Sequence, residues 1–320
     1  GMNPYLEQNG IDVVETDLGE RILQLLHQKP SHIVMPAIHL KREEVGKMFE
    51  EKGISKEIGN YDPTYLTRCA RQHLRNQFME AGAGMTGCNF GVAKTGDIVV
   101  CTNEGNADMS TSMPKLHLVA MGIEKIVPDY SSVAVFQRLL CRSATGQPTT
   151  AYTSHFRQAR PGAEMHVILV DNGRSDTLAD ADHWQTLKCI RCGSCMNTCP
   201  VYRRSGGYSY TYFIPGPIGI NLGMLRDASR YSDNVSACTL CLSCDNVCPT
   251  KVGPGSQVYL WRQKLDSLHR ADPMKKIMSE GMEVLFEHPH LYASALKLAP
   301  LANVIPDGLT HIRYVNPWGV

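Results

Sequence analysis

Two periods of apolar spacing alternate through the first half of the chain, and together they predict interleaved strands and helices. Short apolar runs predict strands at residues 11–16, 31–37, 88–93, 97–102, 116–121, 125–128 and 165–170. Spacings of three and four predict helices at 20–28, 41–52, 63–81 and near 131–141. Within 63–81, Leu66, Cys69, Ala70, His73 and Leu74 fall on one stripe. Local signals sharpen the boundaries. Asp17 followed by Leu18-Gly19-Glu20 reads as a capping box that opens the first of these helices. Lys94-Thr95-Gly96 is a turn that joins 88–93 and 97–102 as a hairpin. Strands alternating with helices in this way predict a layered α/β domain.

The character of the chain changes after Val170. Asp171-Asn172-Gly173-Arg174-Ser175-Asp176 is a polar, turn-rich linker. Short helical approaches follow at 183–188 and 228–237, with a Gly-, Tyr- and Pro-rich insert at 202–227, a helix at 257–267, and then a helical tail. We expect an α/β domain over 1–175, a second domain over 176–270 and the tail over 271–320, in keeping with about two domains for 320 residues. The 43% apolar content is enough for a substantial core. A net charge of +1 argues against electrostatic nucleic-acid binding. No apolar run approaches the roughly 20 residues of a membrane span.

Cysteine spacing carries the chemistry. Cys189, Cys192, Cys195 and Cys199-Pro200 form one run, and Cys238, Cys241, Cys244 and Cys248-Pro249 repeat it with an offset of 49 at every cysteine. This is the bacterial ferredoxin spacing for two [4Fe–4S] clusters, in which the fourth cysteine of each run serves the other cluster. The expected ligand sets are therefore Cys189, Cys192, Cys195 and Cys248 for cluster 1, and Cys238, Cys241, Cys244 and Cys199 for cluster 2. A disulfide framework fits a small secreted chain, and zinc favours paired ligands, so neither suits these runs. Reduced cysteines in this number point to the cytoplasm. The other four cysteines, Cys69, Cys88, Cys101 and Cys141, read as small core residues.

Two further segments invite a functional reading. Gly82-x-Gly84-x-x-Gly87 matches the dinucleotide fingerprint as text, but a helix precedes it and a hairpin follows, the wrong context for a nucleotide turn. It reads instead as a flexible helix-to-strand connection, or as a backbone loop approaching a small anion. Thr102-Asn103-Glu104-Gly105-Asn106 follows a strand, where α/β sheets place ligand sites. It is either a plain surface turn, which Asn and Gly favour, or a site with Glu104 as base or nucleophile. In the second case Gly84, Gly87, Asn103, Asn106 and Lys115 would line a ligand pocket. His32, His39 and His117 read as structural.

The segments Ser31–His39 (SHIVMPAIH), Gly84–Phe90 (GMTGCNF), Thr102–Asn106, Gly122–Lys125 and Cys189–Cys195 together resemble the lactate utilisation protein B family over nearly the whole chain. The resemblance implies an N-terminal lactate-utilisation (LUD) domain, similar in fold to sugar isomerase and CoA-transferase-like α/β proteins, and a helical ferredoxin-type domain after it. It implies work in the cytoplasm with two partners in oxidising L-lactate to pyruvate. One partner is a cysteine-rich protein similar to heterodisulfide reductase subunits, and the other is a second LUD-domain protein. Family members extend further at both ends, so the LUD domain is expected to be N-terminally truncated.

Electron transfer within such a complex is the first functional expectation. Oxidising lactate removes a hydride or its equivalent, which calls for a flavin or nicotinamide. The sequence displays no convincing site for either, so the isolated chain is not expected to oxidise lactate. Similar cysteine runs serve glycolate oxidation and heterodisulfide reduction, and these remain alternative complexes. An acyl- or CoA-transferase using Glu104 as nucleophile is a further alternative, and a pure docking role for the N-terminal domain another.

Overall fold

The computed structural model describes residues 2–267 and 273–298, in two compact units divided between Leu260 and Trp261. In the first unit, seven strands form two sheets: β1 (Ala83–Thr86), β2 (Phe90–Val92), β3 (Asp97–Thr102), β4 (Leu116–Gly122), β5 (Ile126–Val127), β6 (Tyr152–Phe156) and β7 (Glu164–Val170). One sheet is parallel, in the order β1-β4-β7. The other is mixed, in the order β5-β2-β3-β6, with β2 and β3 as the expected hairpin. This is the α/β class, and the part that carries the cysteine runs is helical.

β3 ties the sheets together because both of its faces are buried. Val99 packs with Phe90, Val92, Val127 and Val133, while Ile98 and Val100 pack with Val119 and Met121 of β4. Burying each such side chain fully is worth about 1.5–3 kcal/mol. A third core lies among the N-terminal helices, where Ile22, Met48, Phe49, Leu66, Cys69 and Ala70 meet. The helix Pro63–Glu80 supplies Leu66, Cys69, Ala70 and Leu74 from one face, and Asp62 caps it by accepting from the Tyr65 N–H. The helix Tyr130–Thr145 begins where Asp129 accepts from the Ser131 and Ser132 N–H groups and ends at Gly146 in the left-handed region.

Several expectations are corrected. Residues 11–16 form no strand: the segment is extended coil, tied to the helix Leu18–Leu26 through Gln24, which accepts from Glu15 N and donates to the Val13 carbonyl. Residues 31–37 also form no strand. Ser31 N and Oγ donate to the Pro36 carbonyl, and His32 Nδ1 accepts from Val34 N and Met35 N. Those local bonds occupy the groups a ladder would need. The Gly82–Gly87 connection is partly a strand, β1, paired in parallel with β4. The linker 171–176 already contains the start of the helix Arg174–Ala179. β6 and the helix Asn106–Ser112 had no apolar periodicity to announce them.

Of the expected capping box only the Asp17 half forms, and it has a titration consequence. Asp17 accepts from Gly19 N and Glu20 N, and Glu20 is pushed up to about 9, first by burial and then by Asp17. A carboxyl whose folded value is raised stabilises the fold below its ordinary value of 4.5 and loses that contribution as pH rises through the folded value. Thermal unfolding temperature should therefore fall between pH 5 and about 9, and Glu20→Gln should flatten that slope. An unchanged slope in the variant would remove Glu20 as its source.

In the second unit, the helices Pro273–Glu287 and Pro289–Leu298 pack on each other, with Phe286 and Tyr292 edge to face at 5.6 Å. Residues 299–320 of the expected tail lie outside the described residues. Among the described residues no helix is long and apolar enough to cross a membrane.

Candidate metal centre

The two cysteine runs share a backbone geometry as well as a spacing. Arg191 and Leu240, each two residues past a first cysteine, are both left-handed, with φ of 64° and 53°. Gly193 and Leu242 repeat this at 76° and 56°. Left-handed φ at three non-glycine residues is strained, and strain repeated in register argues that the conformation serves the site. Its result is that backbone N–H groups face sulfur. Arg191 N donates to Cys189 Sγ and Leu240 N to Cys238 Sγ, both at 3.4 Å. At the ends of the runs, Tyr202 N donates to Cys199 Sγ (3.5 Å) and Val252 N to Cys248 Sγ (3.3 Å). The short helices Ser194–Thr198 and Ser243–Val247 pack together, and the Thr198 and Ser243 hydroxyls bond across them.

A small cavity is lined by Cys189, Cys192 and Cys195 of the first run and by Cys248 of the second. Cys244 feels the charges of both Cys238 of its own run and Cys199 of the first run, while Cys241 is exposed. Each run's last cysteine is thus beside the other run's thiols.

Burial pushes the Cys189 and Cys195 thiols well above the ordinary range, and it pushes Cys244 up to about 12 with Asp245 adding to it. The raised Cys189 and Cys195 thiols stay protonated on their own, and a metal core binds them only as thiolates, so loading releases protons. Arg191 also lines this cavity, with Nη1 buried and without a hydrogen-bond partner, and its charge acts on Cys189. The donor set, the sulfur-directed N–H groups and the unpartnered guanidinium nitrogen all fit an anionic cluster–thiolate assembly in this cavity.

The first loop is seated on the α/β part. Ile190 and Cys192 belong to the same core as Phe90, Val99 and Val133. Lys125 Nζ donates to the Cys189 carbonyl (3.2 Å), and Ser194 Oγ to the Ser143 carbonyl. His32 faces Asn197 Oδ1 at 3.1 Å, and because Nδ1 already accepts two N–H groups, Nε2 carries the proton of this bond. Tyr202 donates to the Ser31 carbonyl, and Gly207 approaches Ser31 so closely that a Cβ would lie 2.0 Å from its oxygen. His32 and His39 are thus structural: His39 Nδ1 meets Ser31 Oγ at 2.7 Å, and Nε2 meets Tyr208 Oη at 2.9 Å. His117 is buried and bonded to Thr86.

The other candidate residues sit apart from this centre. Glu104 accepts from Leu18 N (3.3 Å), and its carboxyl is raised by desolvation and then by Asp17. Asn103 Oδ1 accepts from Ala151 N and Asn106 Oδ1 from the Thr102 hydroxyl. Gly84 lies against the Ser110 carbonyl, Gly87 faces open space, and Lys115 is exposed. Neither the cysteine cavity nor the larger one beside it is lined by any of these six residues. Among the remaining cysteines, Cys69 and Cys141 are buried, and burial pushes Cys88 and Cys101 up to about 11.

Comparison with known proteins gives two family matches: a LUD domain over residues 4–176 and a 4Fe-4S dicluster domain over residues 185–252. Among curated relatives, an uncharacterized electron transport protein of Escherichia coli (strain K12) is 43% identical over 83% of this chain and 56% of its own length. Lactate utilization protein B of Exiguobacterium sp. is 40% identical over 94% of this chain and 65% of its own, and that of Bacillus pumilus 42% over 94% and 64%. The chain thus spans less than two thirds of the length of these relatives. No solved structure matches it.

Proposed function

The chain belongs to the LUD-domain family, and we propose that it is the iron–sulfur electron-transfer subunit of a complex that oxidises L-lactate to pyruvate. The observation that carries the reading is the mixed cavity, in which Cys248 of the second run joins Cys189, Cys192 and Cys195 of the first. The dicluster match and the names of the relatives support it. In this reading Cys189, Cys192, Cys195 and Cys248 hold one [4Fe–4S] cluster, and Cys238, Cys241, Cys244 and Cys199 hold the second. Residues 1–175 form the LUD domain, 176–270 the cluster domain and 271–320 the tail. The partners are a cysteine-rich heterodisulfide reductase-like protein and a second LUD-domain protein, in the cytoplasm.

When bound, the clusters supply single-electron storage at potentials set by hydrogen bonding and exposure. The chain's own residues set those conditions. The N–H groups of Arg191, Leu240, Tyr202 and Val252 stabilise charge on four sulfurs. Ile190 packs the first loop into the α/β core. The Arg191 guanidinium favours the more negative state, so Arg191→Gln should lower the first cluster's potential by about 40 mV, the one-electron equivalent of about 1 kcal/mol. A redox titration followed by EPR reads this directly.

The reading is tested by iron and acid-labile sulfide content after anaerobic reconstitution, with EPR of the reduced protein. About eight irons per chain and two interacting signals are expected. Zinc, or a folded chain that takes up no iron, would overturn it. The cluster-loaded chain alone should not oxidise lactate with an artificial acceptor.

A further inference from the structure

Beside the cysteine cavity lies a larger cleft of about 600 Å³, within the range of small-molecule sites. The two share Cys189, Ile190, Pro249 and Thr250 as a common wall. The cleft therefore abuts the first cysteine of the first centre.

Its chemistry is specific. Phe90, Phe136 and Trp184 give it aromatic walls, with Phe90 and Phe136 stacked at 5.6 Å. Ile126, Leu178 and Trp184 in the same lining are 44%, 64% and 38% exposed, so apolar surface here faces solvent instead of a neighbour. The charge is one-sided. Glu124 is the single acid of the lining and is already bonded to Arg174. Lys125 is partly buried and bonded to the Cys189 carbonyl, which leaves Lys188, over the Trp184 ring, and the exposed Lys251 as cations with no acid partner in the lining. A flat aromatic body with an anionic group satisfies both features. An uncharged quinone leaves the lysines unused, and a dinucleotide calls for a glycine-rich turn at a helix start, which the lining lacks.

We infer that this cleft binds a phosphorylated flavin of the flavin mononucleotide class, its ring against Phe136 and Trp184 and its phosphate toward the lysines, next to the cluster at Cys189. The inference rests on the electron-transfer reading and deepens it. Hydride removal from a 2-hydroxy acid needs a two-electron acceptor, whereas each cluster takes one electron. The two-electron-reduced ring gives one electron to each of the two clusters and two protons to water, which leaves the oxidised ring and balances the step.

The test is titration of flavin mononucleotide into the cluster-loaded chain, followed by quenching of flavin fluorescence, with iron assayed in the same samples. One flavin per chain is expected, with riboflavin, which lacks the phosphate, at least tenfold weaker. Leu178→Glu replaces apolar surface with negative charge at an exposed wall position, and Lys251→Glu reverses a cation. Each should weaken binding at least tenfold, about 1.4 kcal/mol, with iron content unchanged. No flavin binding to a chain that holds about eight irons overturns this inference and leaves the relay reading standing. Binding indifferent to both substitutions, or capture of a neutral quinone in preference to the flavin, overturns it as well. Flavin binding by a chain that takes up no iron would instead sink the relay reading, and the electron-exchange role with it.

Discussion

Cys248→Ala should halve the iron content, from about eight to about four per chain, and the cluster lost should be the one in the first loop, whose own run is intact. The cavity that holds Cys189, Cys192 and Cys195 has Cys248 as its fourth thiol. A control identifies which cluster survives. Arg191 lies at that cavity and its charge acts on Cys189, so Arg191→Gln should shift the first cluster's potential in the parent. In the Cys248→Ala background the surviving cluster should be indifferent to Arg191→Gln. If the survivor still responds, each run uses its own four cysteines and the crossed ligand set is wrong.

The second large effect is on stability. Gly84→Ala should destabilise the chain by about 3 kcal/mol, because the added Cβ would lie 1.7 Å from the Ser110 carbonyl oxygen. The contact is backbone, so relief requires the helix Asn106–Ser112 to move off β1. Gly87→Ala meets nothing within 4 Å and should change stability by less than about 0.5 kcal/mol. Urea denaturation of the pair separates two roles for this glycine-rich segment. A ligand loop predicts near-neutral stability at both positions, and close packing predicts the large asymmetry. Equal, small effects would return Gly84 to the list of ligand-pocket residues.

Much of the α/β part was legible because its signals are local. The hairpin β2–β3, the strand β4 and the helices Pro63–Glu80 and Tyr130–Thr145 have apolar periods and capping residues within a few positions of each boundary. The failures share a cause. Residues 31–37 look like an apolar strand, but their backbone bonds close onto Pro36 and His32, and the segment is held from outside by Tyr202 and Asn197. β1 was hidden by its glycine, which is there because another backbone presses on it. β6, Tyr-Thr-Ser-His-Phe, carries mixed polarity and gains its place by pairing with β3. Neighbours far along the chain decided each of these.

The same division runs through the candidate site. Cysteine spacing sets how three thiols wrap one loop, because residues three apart in a tight turn share a face whatever surrounds them. The class of chemistry, single-electron transfer, was therefore readable from residue order. So was the expectation that the last cysteine of each run serves the other. Spacing could not reach the rest. The N–H groups aimed at Cys189 and Cys238 come from left-handed backbone at Arg191 and Leu240, residues with no intrinsic preference for it. The seating of the first loop depends on Ile190 reaching a core built by Phe90 and Val133. The aromatic and cationic cleft draws its walls from Phe90 to Lys251. Local order specifies what a short loop can bind. Contacts between distant segments specify what lies next to it, because only folding sets their distance.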